Sequence, residues 1–272
     1  VNSQTWRDRW DWVHTISAWI PSILWGVAFA NLVQGMHIEV VQISNGAVVP
    51  AEQVPADSLV AGAAHQITGG LPTMVTPFTL LGGVVTCLLF LNHGALFVAL
   101  KTTDELSQRA LGLSRRLAPV ATAVTAAWAL WAQLAYSGSA LSWIPLAIAA
   151  AGLIGSLLAG RTASEGRAFA LHFVGIAFAA VFIFAAMVPN VMRSSVDPAY
   201  SLTIQQAASA DTTLLIMSVA AAVFVPGVLA YTIWSYKVFA SRISVESINP
   251  DQGGLHPTLV RDSAQPEAHF GY

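Results

Sequence analysis

Charge is scarce in this sequence. Asp, Glu, Lys and Arg make up 10% of its 272 residues, where a soluble domain carries roughly 25%. Hydrophobic residues make up 55% and mean hydropathy is +0.62, so lipid is the main solvent and an ordinary soluble enzyme is excluded. A basic surplus is also lacking: the formal net charge of −2 gives no electrostatic footprint for nucleic acid. Cysteine is nearly absent. Cys87 stands alone, which excludes an intramolecular disulfide framework and a cysteine-cluster metal site. The first residue is Val1, and no charged segment with a cleavage site follows it, so the chain is expected to begin partway through a longer protein.

What the sequence has is long apolar runs. A membrane helix needs about 20 mostly apolar residues to cross a hydrocarbon core about 30 Å thick. Such spans are predicted near 13–34, 77–100, 117–136, 142–160, 168–190 and 212–236, each inside an interval free of Asp, Glu, Lys and Arg. The interval 117–160 is too long for one helix, and YSGSALSW at 136–143 supplies a turn. The expected fold is an all-α integral membrane protein, with residues 1–243 as the transmembrane helical domain. Residues 36–76 are expected to form an outer loop, and 244–272 a flexible cytoplasmic tail.

Six spans place both ends of the chain on one side. Eleven of the twelve basic residues fall in the loops and ends of that side, and only Arg193 falls opposite. The positive-inside rule makes the basic side cytoplasmic. Trp10, Trp12, Trp143, Trp234 and Tyr236 lie near span ends, where amphipathic rings favour the headgroup layer. Trp128 and Trp131 lie slightly further in. Pro21 and Pro226 are expected to kink their spans. Asp211 is a candidate cap for the last helix. Ala151, Gly155 and Ala159 form a stripe of small residues expected to face another helix.

No Asp, Glu, Lys or Arg lies in the middle of a span, which argues against an ion-coupled pump working through this chain alone. The polar candidates are therefore few. His93 lies eight residues before Lys101 and His172 five residues after Arg167, about 12 Å and about 8 Å from the same side. Two imidazoles at similar depth could ligate a haem. The simpler reading is that they are buried hydrogen-bonding groups, since two histidines at similar depth among six helices often arise by chance. Asn92, Asn31 and Gln34 join His93 as weak candidates for contact with a quinone or lipid. For Asn31 and Gln34 the simpler reading is a helix end stopped by Gly35. The small polar residues of 201–218 read as turns and a helix entry, or as a lining for a lipid or quinone headgroup. His37 and His65 fall in the outer loop, and no metal-ligand spacing is present.

Five strings in order carry a resemblance: WRDRWDW at 6–12, GVAFANLVQG at 26–35, TPFTLLGGVV at 76–85, SLTIQQAASADTTLLIM at 201–217 and LAYTIWSYKVFASRIS at 229–244. Together they resemble subunit II of the bacterial cytochrome bd-type terminal quinol oxidases, from Trp6 to about Ser244. The resemblance implies a nine-helix subunit of which the six spans are the last six, the first three being absent. It implies a partner, subunit I, which carries two haems b and one haem d, oxidises quinol and reduces dioxygen to water in the plasma membrane. Subunit II is then a scaffold without a catalytic centre of its own, with room for a structural quinone or lipid and for a small single-helix accessory subunit alongside. Acidic residues associated with the family's proton path belong to the absent helices and are carried onto no residue here. Under that reading His93 is a neutral, buried hydrogen-bonding group.

Two other functions fit the residues. A di-histidine haem b anchor of a dehydrogenase would use His93 and His172. A small-solute facilitator would need a continuous polar pore.

Overall fold

A computed structural model describes residues 4–44, 47–50, 63–162 and 164–244. Its element order is α1 (Gln4–Gln34), β1 (Ile38–Ser44), β2 (Ala47–Pro50), β3 (Ala63–Ile67), α2 (Gly70–Met74), α3 (Pro77–Lys101), α4 (Asp104–Trp131), α5 (Trp143–Arg161), α6 (Glu165–Met187), β4 (Asn190–Met192), β5 (Leu202–Thr203), α7 (Ile204–Ala207) and α8 (Asp211–Val238). Among the described residues six helices are long and apolar enough to cross a membrane, and they coincide with the six predicted spans.

The differences lie at the helix ends. α4 begins at Asp104 rather than near 117. Its 28 residues are about 42 Å long at 1.5 Å per residue, so the charged first turns project beyond a core about 30 Å thick. It continues as a π-helical turn over Ala132–Tyr136. α6 stops at Met187 rather than 190, two residues before Pro189. Asp211 is the first residue of α8, Ala210 holds the cap position, and no side-chain cap bond forms. The expected Asp211 cap is therefore not made. Helix assignment continues through Pro21 and Pro226.

The described residues of the 36–76 segment include three strands, where a loop is expected. They form an antiparallel sheet in the order β2-β1-β3, with Ile38 opposite Ile67 and Gln42 opposite Val49. Ile38, Val40 and Val41 are buried. Residues 245–272, where the flexible tail is expected, lie outside the described residues.

Two close helix contacts organise the bundle. In a bilayer, lipid tails are as apolar as leucine, so helices associate through close packing and interhelical hydrogen bonds. α1 meets α3 at Gly26 and Gly82: a Cβ on Gly26 would stand 2.4 Å from the Gly82 carbonyl oxygen. α5 meets α6 at Gly152, where a Cβ would stand 2.7 Å from the Gly175 nitrogen. The packed face of α5 is Gly152, Ser156 and Gly160, all buried. Ala151 is exposed and Gly155 and Ala159 are half-buried, so the closest approach to α6 is made at Gly152 and Ser156, one position on from the expected stripe, with Gly155 meeting only the Leu171 side chain. Ser156 fixes the register by donating to the Ala168 carbonyl at 2.8 Å.

The core joins Ala30, Val33, Phe78, Leu89, Trp128, Leu153 and Phe182. Trp128 belongs to it. Its ring stacks on Phe78 with centroids 5.3 Å apart, and Nε1 donates to the Phe78 carbonyl at 3.2 Å. Trp131, one turn on, is 41% exposed. α8 has no buried residue. Its end is tied down where Ile243 pairs with Thr102, Lys101 donates to the Phe239 carbonyl at 2.7 Å, and Arg242 pairs with Glu165 at 2.7 Å.

Candidate functional site

The candidate polar residues separate into three places. The first is the seam between α3 and α6. His93 and His172 meet there, with Nδ1 atoms 3.2 Å apart and ring centroids 5.3 Å apart, nearly parallel at 20°. His172 is 2% exposed and His93 is half-buried. Phe169 stacks on His93 at 4.5 Å. One imidazole must donate from Nδ1 and the other accept there, so each satisfies a polar atom of its neighbour.

The Nδ1 edges of this pair do not hold a haem iron between them. An iron between two imidazoles requires two metal–nitrogen bonds of about 2.0–2.1 Å, hence nitrogens about 4 Å apart. At 3.2 Å the Nδ1 atoms are too close to hold an iron between them, and the Phe169 ring stacks on His93 at 4.5 Å. Among the described residues no group of three or more His, Cys, Asp or Glu is arranged to hold a metal ion.

Asn92, next to His93, points elsewhere. It is 1% exposed and its Oδ1 accepts the Ser114 hydroxyl of α4 at 2.7 Å. Consecutive residues of α3 thus hold two different helices, because adjacent helical positions do not share a face.

The second place is the end of the bundle where α1 stops. Gly35 has φ 101°, a left-handed conformation that suits glycine at a helix end, and its N–H donates to the Asn31 carbonyl at 2.8 Å. The Asn31 side chain does not cap its own helix end. Its Nδ2 donates to the Val27 and Met74 carbonyls, both at 2.9 Å. Gln34 Oε1 accepts the Thr76 hydroxyl at 2.7 Å, and Thr76 forms a reciprocal cap with Thr79 at the start of α3. The two amides therefore stitch the end of α1 to the entry of α3.

Arg193 completes this end. Its Nη1 donates to the Val33 carbonyl at 3.4 Å and to the Tyr136 carbonyl, near the ends of α1 and of the α4 extension. Helix C-termini carry partial negative charge and favour a cation. Burial lowers the Arg193 pKa from its ordinary value. Nearby, Thr203 and Gln206 make a reciprocal cap at the start of α7, which supports the turn reading of the 201–218 segment.

The third place was not singled out in the sequence. A cavity of about 250 Å³ lies among α1, α3, α4, α5 and α6, lined by residues that include Phe29, Thr86, Thr125, Trp128, Ala149 and Ile176. Neither His93, Asn92, Asn31 nor Gln34 lines it. Its wall is almost wholly apolar except for threonines. The Thr125 hydroxyl is buried with no hydrogen-bond partner among the described residues. Thr122 and Thr125 stand among alanines and valines, and two hydroxyls in an apolar span are too weak a signal from which to read this cavity.

Comparison with known proteins places the geometry in a lineage. The family described as cytochrome bd terminal oxidase subunit II matches residues 1–239. The cytochrome bd ubiquinol oxidase subunit 2 of Bacillus subtilis (strain 168) is 31% identical over 252 residues, covering 90% of this chain and 67% of that protein. The cytochrome bd-I ubiquinol oxidase subunit 2 of Escherichia coli (strain K12) is 28% identical over 289 residues, covering 94% of this chain and 71% of that protein.

Proposed function

This chain belongs to the cytochrome bd terminal oxidase subunit II family, and from that premise we propose that it is the scaffold on which a haem-bearing subunit I is held. It is a subunit of a quinol oxidase complex and a multi-pass membrane protein. The complex passes electrons from quinol to dioxygen, which is reduced to water. Haem supplies the electron-carrying and dioxygen-binding chemistry, and two haems b and one haem d reside on subunit I in this reading. The chain's own residues shape and stabilise the helix bundle.

The observation that carries the scaffold role is the His93–His172 pair. Its Nδ1 atoms are satisfied by each other at 3.2 Å, so in this reading the two histidines act as an interhelical bond. The apolar cavity is read as the seat of an alkyl group, either a lipid acyl chain or the isoprenoid part of a structural quinone. A small single-helix accessory subunit is compatible with the exposed faces of α1 and α8. The excess of basic residues at the end holding Lys101 and Arg242 supports placing that end, and both ends of the chain, in the bacterial cytoplasm.

The test is a haem assay on two preparations. Pyridine haemochrome analysis is expected to find no haem on the isolated chain and haems b and d when subunit I co-purifies. Stoichiometric haem b on the isolated chain, lost in His93→Ala, would overturn the scaffold reading.

A further inference from the structure

Arg193 is the one basic residue at its end of the bundle, and its surroundings are not absorbed by a scaffold role. It opens onto a pocket of about 210 Å³, lined by residues that include Gln34, Tyr136, Asn190, Ser194 and Ser201. Liquid water takes about 30 Å³ per molecule, so the pocket has room for a tetrahedral group much larger than one water.

The acceptors around this pocket are largely engaged. The Val33 and Tyr136 carbonyls accept Arg193 Nη1. Gln34 Oε1 accepts Thr76. Ser194 Oγ donates to the Ile38 carbonyl at 2.6 Å and accepts the Val196 N–H at 3.1 Å. Ser201 Oγ accepts the Ser194 N–H at 3.1 Å. What is left is mainly donors: Arg193 Nε and Nη2, the Gln34 amide nitrogen and the Ser201 hydroxyl proton have no partner among the described residues, and Asn190 has both its amide nitrogen and its amide oxygen free. Nor does a carboxylate pair with Arg193 there. The ion pairs Arg109–Glu105 and Arg242–Glu165 are made by other arginines. A pocket with a cation and surplus donors suits a ligand that only accepts.

The remaining guanidinium edge matters. Nη1 meets the carbonyls of the two helical ends and offsets their partial negative charge. Nε and Nη2 are then left for a planar, bidentate grip on an oxyanion, the geometry in which arginine surpasses lysine. The depth fits as well. Trp131 and Trp143, 41% and 45% exposed, stand at the adjoining ends of α4 and α5, and such rings favour the headgroup layer.

We propose that this pocket binds a phosphate-type oxyanion, with Arg193 as anchor and Asn190 as a second donor. The group can come from a phospholipid headgroup or from free phosphate, and the two sources are separable. The assembled oxidase complex is prepared as wild type, Arg193→Gln and Asn190→Leu. One arm titrates inorganic phosphate and follows broadening of its ³¹P resonance. The other reconstitutes delipidated complex with phosphatidylglycerol or a phosphate-free diglucosyl lipid and counts retained lipid by native mass spectrometry.

A lipid source predicts that wild type retains one more phosphatidylglycerol than Arg193→Gln, with no such difference for the glucosyl lipid. A free-phosphate source predicts saturable ³¹P broadening that both variants weaken about tenfold or more, the scale of one charge-assisted contact. Asn190→Leu keeps the Arg193 bonds to Val33 and Tyr136, so it decides the matter if Arg193→Gln fails to assemble. Unchanged phosphate binding and unchanged lipid count in Asn190→Leu and in any assembled Arg193→Gln complex overturn the proposal.

Discussion

His93 and His172 face each other across the α3–α6 seam with Nδ1 atoms 3.2 Å apart, and each is the other's hydrogen-bond partner in an otherwise apolar setting. Glutamine can both donate and accept at that distance. His93→Gln is therefore expected to assemble with subunit I and keep the haem absorbance and most oxidase activity. His93→Leu leaves the buried His172 nitrogen unsatisfied and should destabilise the complex by about 1 kcal/mol, with about 1.7 as an upper value for an interhelical bond in a membrane. Thermal inactivation of the solubilised complex reads the difference. Loss of all haem absorbance in His93→Gln would count against a structural role.

Asn92 and Ser114 make the matching bond between α3 and α4, at 2.7 Å with both residues buried. A double-mutant cycle of Asn92→Ala and Ser114→Ala is expected to show a coupling of about 0.6 kcal/mol, the average for polar pairs between membrane helices. The measurement is unfolding stability of all four forms in the same detergent. Zero coupling would mean that the two side chains act independently.

Gly152 and Gly175 allow the backbones of α5 and α6 to touch. A methyl group on Gly152 would lie 2.7 Å from the Gly175 nitrogen and 2.9 Å from the Leu171 carbonyl oxygen, and backbone cannot rotate aside. Gly152→Ala should destabilise the complex by about 1–3 kcal/mol, the usual range for overpacking. Gly155→Ala meets only the tip of Leu171 at 3.2 Å, so its effect should be smaller. Ala151→Val points away from the contact and should be close to neutral. Melting temperatures ranked in any other order would place the helix contact elsewhere.

This ranking also shows what the sequence could and could not convey. The six spans were legible because a bilayer demands contiguous apolar runs, and each charge-free interval met that demand. Which face of a span packs was harder to read. In α5 small residues occur on every side, so Ala151-Gly155-Ala159 and Gly152-Ser156-Gly160 were equal candidates by spacing. The hydroxyl of Ser156 was the available marker, since a polar group in lipid seeks a partner. IEVVQIS at 38–44 pairs as a strand, but a single alternating stretch between membrane spans is a weak signal. The matched depths of His93 and His172 were legible from helix rise alone. Their direct bond was not, because it depends on how α3 and α6 are rotated. Arg193 stood out by charge, yet its carbonyl partners come from two distant segments that only the folded chain brings together.

The apolar cavity yields the last prediction. Ala149 is buried on α5 and lines it, so Ala149→Phe places a ring into existing space rather than into packed atoms. If an alkyl group occupies the cavity, this variant should co-purify with one fewer equivalent of lipid or isoprenoid quinone, counted after solvent extraction, while haem content stays unchanged. Thr125→Val separates the occupants. It removes the unpartnered hydroxyl at nearly constant shape, and burying an unpaired hydroxyl costs about 1–3 kcal/mol on protein scales. For a purely alkyl occupant, Thr125→Val should keep the ligand and raise thermal stability. For a quinone ring that accepts a hydrogen bond from Thr125, it should instead lower retention. Ala149→Phe with undiminished lipid and quinone would show that the cavity is empty in the working complex.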